Sequence, residues 1–236
     1  KAYLLWIGFY SLKMALTVDY LYNFTLNLIK KNQAGSLASI EWARHWNDAS
    51  NTYQDDLLGR FQARSNGKAG ANTGLIENET IETKLAPFTK TDTINITAGD
   101  GPKPSDFIYL LALRIDGKEV RHINKNQIAT INDNTIDPPS VADGAYYYTP
   151  YLNYYSFLPN TVTAATIDYI ATPVDVVWGF TIVGGRQVYN AGTSIQPQWN
   201  DNSCREITKR MLTNLGCSFK DSEFLNFGRS VQLTGE

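Results

Sequence analysis

Two histidines, two cysteines and a scatter of carboxylates are the chain's stock of groups for catalysis or metal binding, and their spacing brings none of them together. Cys204 and Cys217 stand thirteen positions apart, without a wider disulfide framework, which points to folding in a reducing compartment. His45 and His122 lie far from both cysteines, with no zinc-ligand spacing. Asp55 and Asp56 are adjacent, so a helix would aim them at different faces, unsuited to paired acid–base work. Asp92, Asp100 and Asp106 are too dispersed for a calcium loop. No glycine-rich phosphate loop follows a strand pattern, and Gly184-Gly185 reads instead as a hairpin turn. No serine occupies a nucleophile elbow. A glycosidase pair of distant carboxylates leaves no local spacing, so a hydrolase stays among the alternatives. The expectation is a protein without catalytic residues, cofactor or metal.

The bulk properties agree with a structural part. The 236 residues can bury a sizeable core, with 43% hydrophobic and 19% charged residues. A net charge of −2 argues against a general nucleic-acid or anionic-membrane binder. Aromatic residues reach 12%, with 14 tyrosines, a side chain suited to sheets and to interfaces alike. Residues 1–13 form a short apolar run, too short to span a bilayer and lacking a clean cleavage site. They read as an extension upstream of Met14, outside the native chain, with a targeting segment as the alternative reading.

A helical frame encloses a long β-prone middle. Thr17 can cap a first helix over 17–34, with Asp19 in its first turn, an apolar face of Leu21, Phe24 and Leu28, and Gly35 as its stop. Ser36 or Ser39 caps a second helix over 38–64. Its stripe is Trp42, Trp46, Ala49, Tyr53, Leu57 and Phe61. Residues 65–84 read as a linker, glycine- and asparagine-rich over 65–74. Alternation then predicts strands at Thr93–Thr97 and Phe107–Ile115, with a turn at Asp116-Gly117, and further strands through Val183. Ser203 and Glu206 have capping-box spacing for a helix over 203–216, with Cys204, Ile207, Met211 and Leu215 on one stripe and Gly216 at its end. A short helix is expected over 219–227. The fold class is α+β: N- and C-terminal helices packed together plus a central antiparallel β-sandwich or partly open barrel. Residues 14–64 with 201–228 form the helical domain, and 85–190 the β domain. Trp42, Trp46, Tyr53, Leu57, Ile207, Met211 and Leu215 are the expected core.

Three stretches carry a family likeness. The first is Tyr20-Leu21-Tyr22-Asn23 through Lys31-Asn32-Gln33-Ala34-Gly35, then Ile40-Glu41-Trp42-Ala43-Arg44-His45-Trp46-Asn47. The second is Pro150 to Leu158-Pro159, then Ile167-Asp168-Tyr169-Ile170-Ala171-Thr172-Pro173 and Val177-Trp178. The third is Trp199-Asn200-Asp201, then Glu206-Ile207-Thr208 to Leu215-Gly216. In this order they resemble the neck and tail ring (head-to-tail adaptor) proteins of tailed bacteriophages, of the crAss-like podovirus type. The resemblance implies a virion protein, assembled in the host cytoplasm, whose identical subunits form a ring. It further implies contact with the portal or adjacent neck and tail proteins, around a channel that DNA traverses without sequence-specific binding, and no membrane. Aromatic side chains give rigid contact area, so Tyr146, Tyr147, Tyr148, Tyr154, Tyr155, Trp178 and Trp199 are the expected interface. The competing class is a secreted or surface β-sandwich module that stacks its tyrosines on glycan.

Overall fold

The computed structural model describes residues 16–31, 37–65, 74–133 and 138–219. The 1–13 extension, the Gly35 stop and the helix expected over 219–227 lie outside these residues, apart from Phe219. In chain order the helices are α1 (Val18–Lys31), α2 (Ser39–Ser65), α3 (Gly74–Leu85), α4 (Ile128–Asn132) and α5 (Asp201–Phe219). The strands are β1 (Thr89–Asn95), β2 (Asp100–Pro102), β3 (Phe107–Ile115), β4 (Lys118–Glu119), β5 (Arg121–His122) and β6 (Tyr147–Pro150). They continue with β7 (Tyr154–Leu158), β8 (Ala164–Ala171), β9 (Phe180–Val183) and β10 (Arg186–Tyr189). The chain is α+β and divides into two units. One joins the residues up to Gly74 to those from Val174 onward; the other is Leu75–Pro173.

In the discontinuous unit α2 packs along α5, and α1 also touches α5. The stripes explain why. Trp42, Trp46, Ala49, Tyr53 and Leu57 recur at three- and four-residue spacing, as do Cys204, Ile207, Met211 and Leu215, and all are buried. The expected core residues are therefore core. On α1 the buried stripe is Val18, Leu21, Thr25 and Ile29, so Leu21 of the predicted face is core while Thr25 and Ile29 take the places expected for Phe24 and Leu28. Phe24 is exposed and stacks on Tyr20. Phe61 is only half-buried.

The helix ends also differ from expectation. Thr17 does cap α1, its Oγ1 accepting from the Tyr20 N–H at 3.2 Å. Two more donors at this end are satisfied from far along the chain: the Val18 N–H donates to Gln196 Oε1 at 2.8 Å, and the Leu16 N–H to Asp201 Oδ1 at 2.9 Å. At α5 the cap is Asn200, whose Oδ1 accepts from the Ser203 N–H at 2.8 Å. Ser203 is thus inside the helix and buried, not its cap. Gly216 is helical and buried, and α5 continues to Phe219.

The second unit is a sandwich of two four-stranded sheets, ordered β1-β8-β3-β4 and β2-β7-β6-β5. Their inner faces share one core, with Ile94, Leu113, Ile115, Ile167 and Tyr169 from the first sheet and Tyr155 and Phe157 from the second. All pairings are antiparallel except β5 with β6, which is parallel and only two residues long. At the β3–β4 turn Asp116 and Gly117 both have positive φ, 50° and 76°, as the twist of a tight hairpin demands. The outer face of the first sheet is polar: Thr91 Oγ1 donates to Asp168 Oδ1 at 2.7 Å, and Asp168 also pairs with Arg114.

Two boundaries move relative to the sequence reading. The second half of the expected 65–84 linker is helix α3, because Ile81 and Leu85, four apart, bury together on one face. The β unit closes at Pro173 instead of 190, so β9 and β10 belong with the helices. Among the described residues Trp46 Nε1 is the buried side-chain polar atom without a hydrogen-bond partner. Trp46 is almost fully buried, so we expect Trp46→Ala to cost roughly 3–5 kcal/mol in denaturant unfolding. Trp46→Phe should cost much less, because it keeps an aromatic ring and removes the unpaired donor.

Candidate functional site

The feature that stands outside both packed cores is the β9–β10 hairpin. Its root is built from Trp178. Phe180 and Tyr189 lie directly opposite each other in the ladder, and both pack on the Trp178 indole, Phe180 stacked with its centroid 6.1 Å away and Tyr189 tilted at 5.8 Å. Trp178 in turn packs on Tyr22 of α1 at 4.8 Å and donates its indole N–H to Asp19 Oδ1 at 3.0 Å. Gly179 presses on the chain that follows the hairpin: a Cβ there would lie 2.2 Å from Thr193 Oγ1. Its N–H donates to Ser194 Oγ at 2.9 Å, and its carbonyl accepts from the Asn190 N–H.

Beyond this root the hairpin has no packing partner in its own unit. Gly184-Gly185 makes the turn, and Ile182 and Val183 beside it are 71% and 61% exposed. Val188 on the return strand is also exposed. The ladder places Ile182 on one face and Val183 with Val188 on the other, so both faces carry bare apolar surface. A two-stranded hairpin is marginal in water by itself, and its edges offer free backbone groups.

The same unit also contains a cleft of about 430 Å³ between the first turns of α2 and residues 175–178. Asn47 fixes one wall: its side-chain amide accepts from the Val176 N–H at 2.9 Å and donates to the Val176 carbonyl at 3.3 Å. Ile40, 76% exposed, Ala43 and Val177 give the cleft an apolar lining, and Asp48, Asp175 and Arg44 give it charge.

In the second unit a cleft of about 520 Å³ includes Lys90, Asp106 and Tyr169. These groups are spent on one another. Asp106 accepts from Lys90 Nζ at 2.5 Å and from the Tyr169 hydroxyl at 2.9 Å. The Lys90 bond holds the Asp106 carboxyl below its usual range, against the opposing effect of burial, and the Tyr169 bond adds to it. The Tyr169 hydroxyl is pushed up to about 12, by burial and then by Asp106.

The expected interface residues scatter, and four of the seven are core. Tyr146, Tyr155 and Trp199 are buried in their own units and offer a neighbour almost no contact area, and Trp178 reaches the surface only where it lines the cleft beside α2. Tyr146 donates its hydroxyl to Asp116 Oδ2 at 3.1 Å, and Trp199 its indole N–H to Ser50 Oγ at 2.7 Å. Tyr147, Tyr148 and Tyr154 are half-buried. Tyr148 meets Tyr155 and His122 edge-on, and Tyr154 stacks on Tyr151 at 4.6 Å, using a ring face that a sugar would need. The residues missed were Ile182, Val183 and Val188. Their signal was a hairpin with aliphatic residues on both alternating faces, Ile182 on one and Val183 with Val188 on the other.

No three His, Cys, Asp or Glu residues among those described gather as a metal site. Cys204 is fully buried, its Sγ 3.5 Å from the Trp199 carbonyl, and burial pushes the thiol up to about 12. None of the helices among the described residues is long and apolar enough to cross a membrane. Comparison with protein-family models and with curated proteins found no match.

Two outcomes follow from these environments. In a Cys217→Ser background, Cys204 should stay unreactive to a thiol-specific dye at pH 8 and react fully once denatured. Asp106 has a depressed pKa in the fold, so it contributes stability above its unfolded pKa, and that contribution is lost as pH falls through the folded value. Lys90→Met should raise the Asp106 carboxyl pKa in an NMR titration and reduce the loss of stability across that acid window.

Proposed function

We propose that this chain is a structural virion protein of a tailed bacteriophage, a subunit of a neck or tail ring that joins portal to tail around the DNA channel. The observation that carries the reading is the β9–β10 hairpin, held by a buried tryptophan at its root and apolar on both faces at its tip. Exposed aliphatic side chains on both faces of a hairpin with no packing partner beyond its root suit a contact with another protein. A contact between unlike surfaces of identical copies generates a closed ring when its rotation closes. The ordered sequence likeness to ring proteins supplies the particular assembly. The weakly acidic chain suits a channel wall, since it gives DNA phosphates little net positive charge to hold.

In this reading the partners are identical subunits and the adjoining portal, neck or tail proteins. The protein performs no catalysis and carries no cofactor or metal. Its place is the virion, after assembly in the host cytoplasm. Reconstruction of particles from the source by electron microscopy, with peptide mapping of their proteins, tests it. The expected result is this chain as a closed ring in the neck or tail. Its absence from the particles, with export of the protein by an uninfected bacterium, would overturn the reading in favour of a secreted glycan-binding module.

A further inference from the structure

We propose that the β9–β10 hairpin of one copy docks in the cleft between α2 and residues 175–178 of a neighbouring copy. This deepens the ring reading and rests on it. Two surfaces of one unit need covering, and they complement each other. The hairpin tip presents Ile182 and Val183; the cleft presents Ile40, Ala43 and Val177. Both are apolar, and no residue of the hairpin lines its own copy's cleft.

Charge fits as well. Arg186 is the hairpin's ionisable cation, exposed beside the Gly-Gly turn and directly opposite Val183 in the ladder. The cleft carries two carboxylates, Asp48 and Asp175, against one guanidinium, Arg44. None of these four side chains forms an ion pair with another described residue. An incoming Arg186 would leave the cleft's charges balanced. Rigidity favours the same match. Trp178 both lines the cleft and carries the hairpin root, so donor arm and acceptor cleft stand on one buried ring. The arm therefore pays little ordering entropy on docking.

The occupant is a second copy of this chain, and the test is a cysteine pair. Ile182→Cys and Ile40→Cys are combined in the full chain with Cys217→Ser, and mild oxidation is followed on a denaturing gel beside mass photometry of the native sample. The expected result is a ladder of covalent multimers that neither single-cysteine variant gives. Arg186→Glu should raise the assembly midpoint roughly tenfold, and Asp175→Arg combined with it should restore the midpoint. A product that stops at the covalent dimer would uphold the contact as a reciprocal exchange and count against the ring. Rings in the native sample without any cross-link would overturn the contact and leave the ring reading standing. No association of the unmodified chain at any concentration, with no cross-link, would overturn the docking contact, and the ring reading then stands or falls on the particle reconstruction.

Discussion

A buried indole hides a large apolar ring and usually places its one N–H against an acceptor, Trp46 being the exception among the described residues. The helical unit solves this problem repeatedly, and the solutions fix its shape. Trp42 donates to Thr25 at 3.1 Å, joining α2 to α1. Trp199 donates to Ser50, joining the approach to α5 to α2. Trp178 donates to Asp19, joining the hairpin root to α1. Each bond is a long-range tie in a low-dielectric setting, where a lost partner costs more than a made bond gains. The stripes supply the driving force for collapse; the indoles decide which arrangement of the collapsed helices is allowed.

That division explains what the sequence disclosed. Periodicity is a local property, so α2 and α5, the strand Phe107–Ile115 and the Asp116-Gly117 turn were legible with close boundaries. Partnership is not local. Nothing around Val18 announces that Gln196 will accept its N–H, and Ser203 has the right spacing for a cap although Asn200 takes that role first. The tyrosine clusters misled for a related reason. Tyr146 and Tyr155 have amphipathic side chains that suit a rim or a core, and only the facing sheet decides, by burying them beside Phe157 and Ile167.

The site was the least legible part. Aromatic content suggested where contact area should be, but the large rings went inward. The exposed surface fell to aliphatic residues in a short hairpin that alternation alone would assign to a sheet. What separates β9 and β10 from the sandwich is the packing of Phe180 and Tyr189 on Trp178, which anchors them among helices. Strand propensity specified the ladder, and one ring fixed its address.

The discontinuity of the helical unit has a consequence for how the protein is born. Its first helix leaves the ribosome without Gln196 and Asp201, the acceptors that complete its N-terminal end. About a hundred residues, Leu75–Pro173, are translated in between, which takes roughly 5–20 s at ordinary elongation rates. The sandwich is wholly contained in that interval and is complete before the last helix exists. Translation order thus favours the middle of the chain as the first finished piece, with the two ends meeting last. Until they meet, α1 and α2 hold their apolar stripes open to solvent, which makes the nascent chain, more than the finished fold, the state in need of a chaperone's cover.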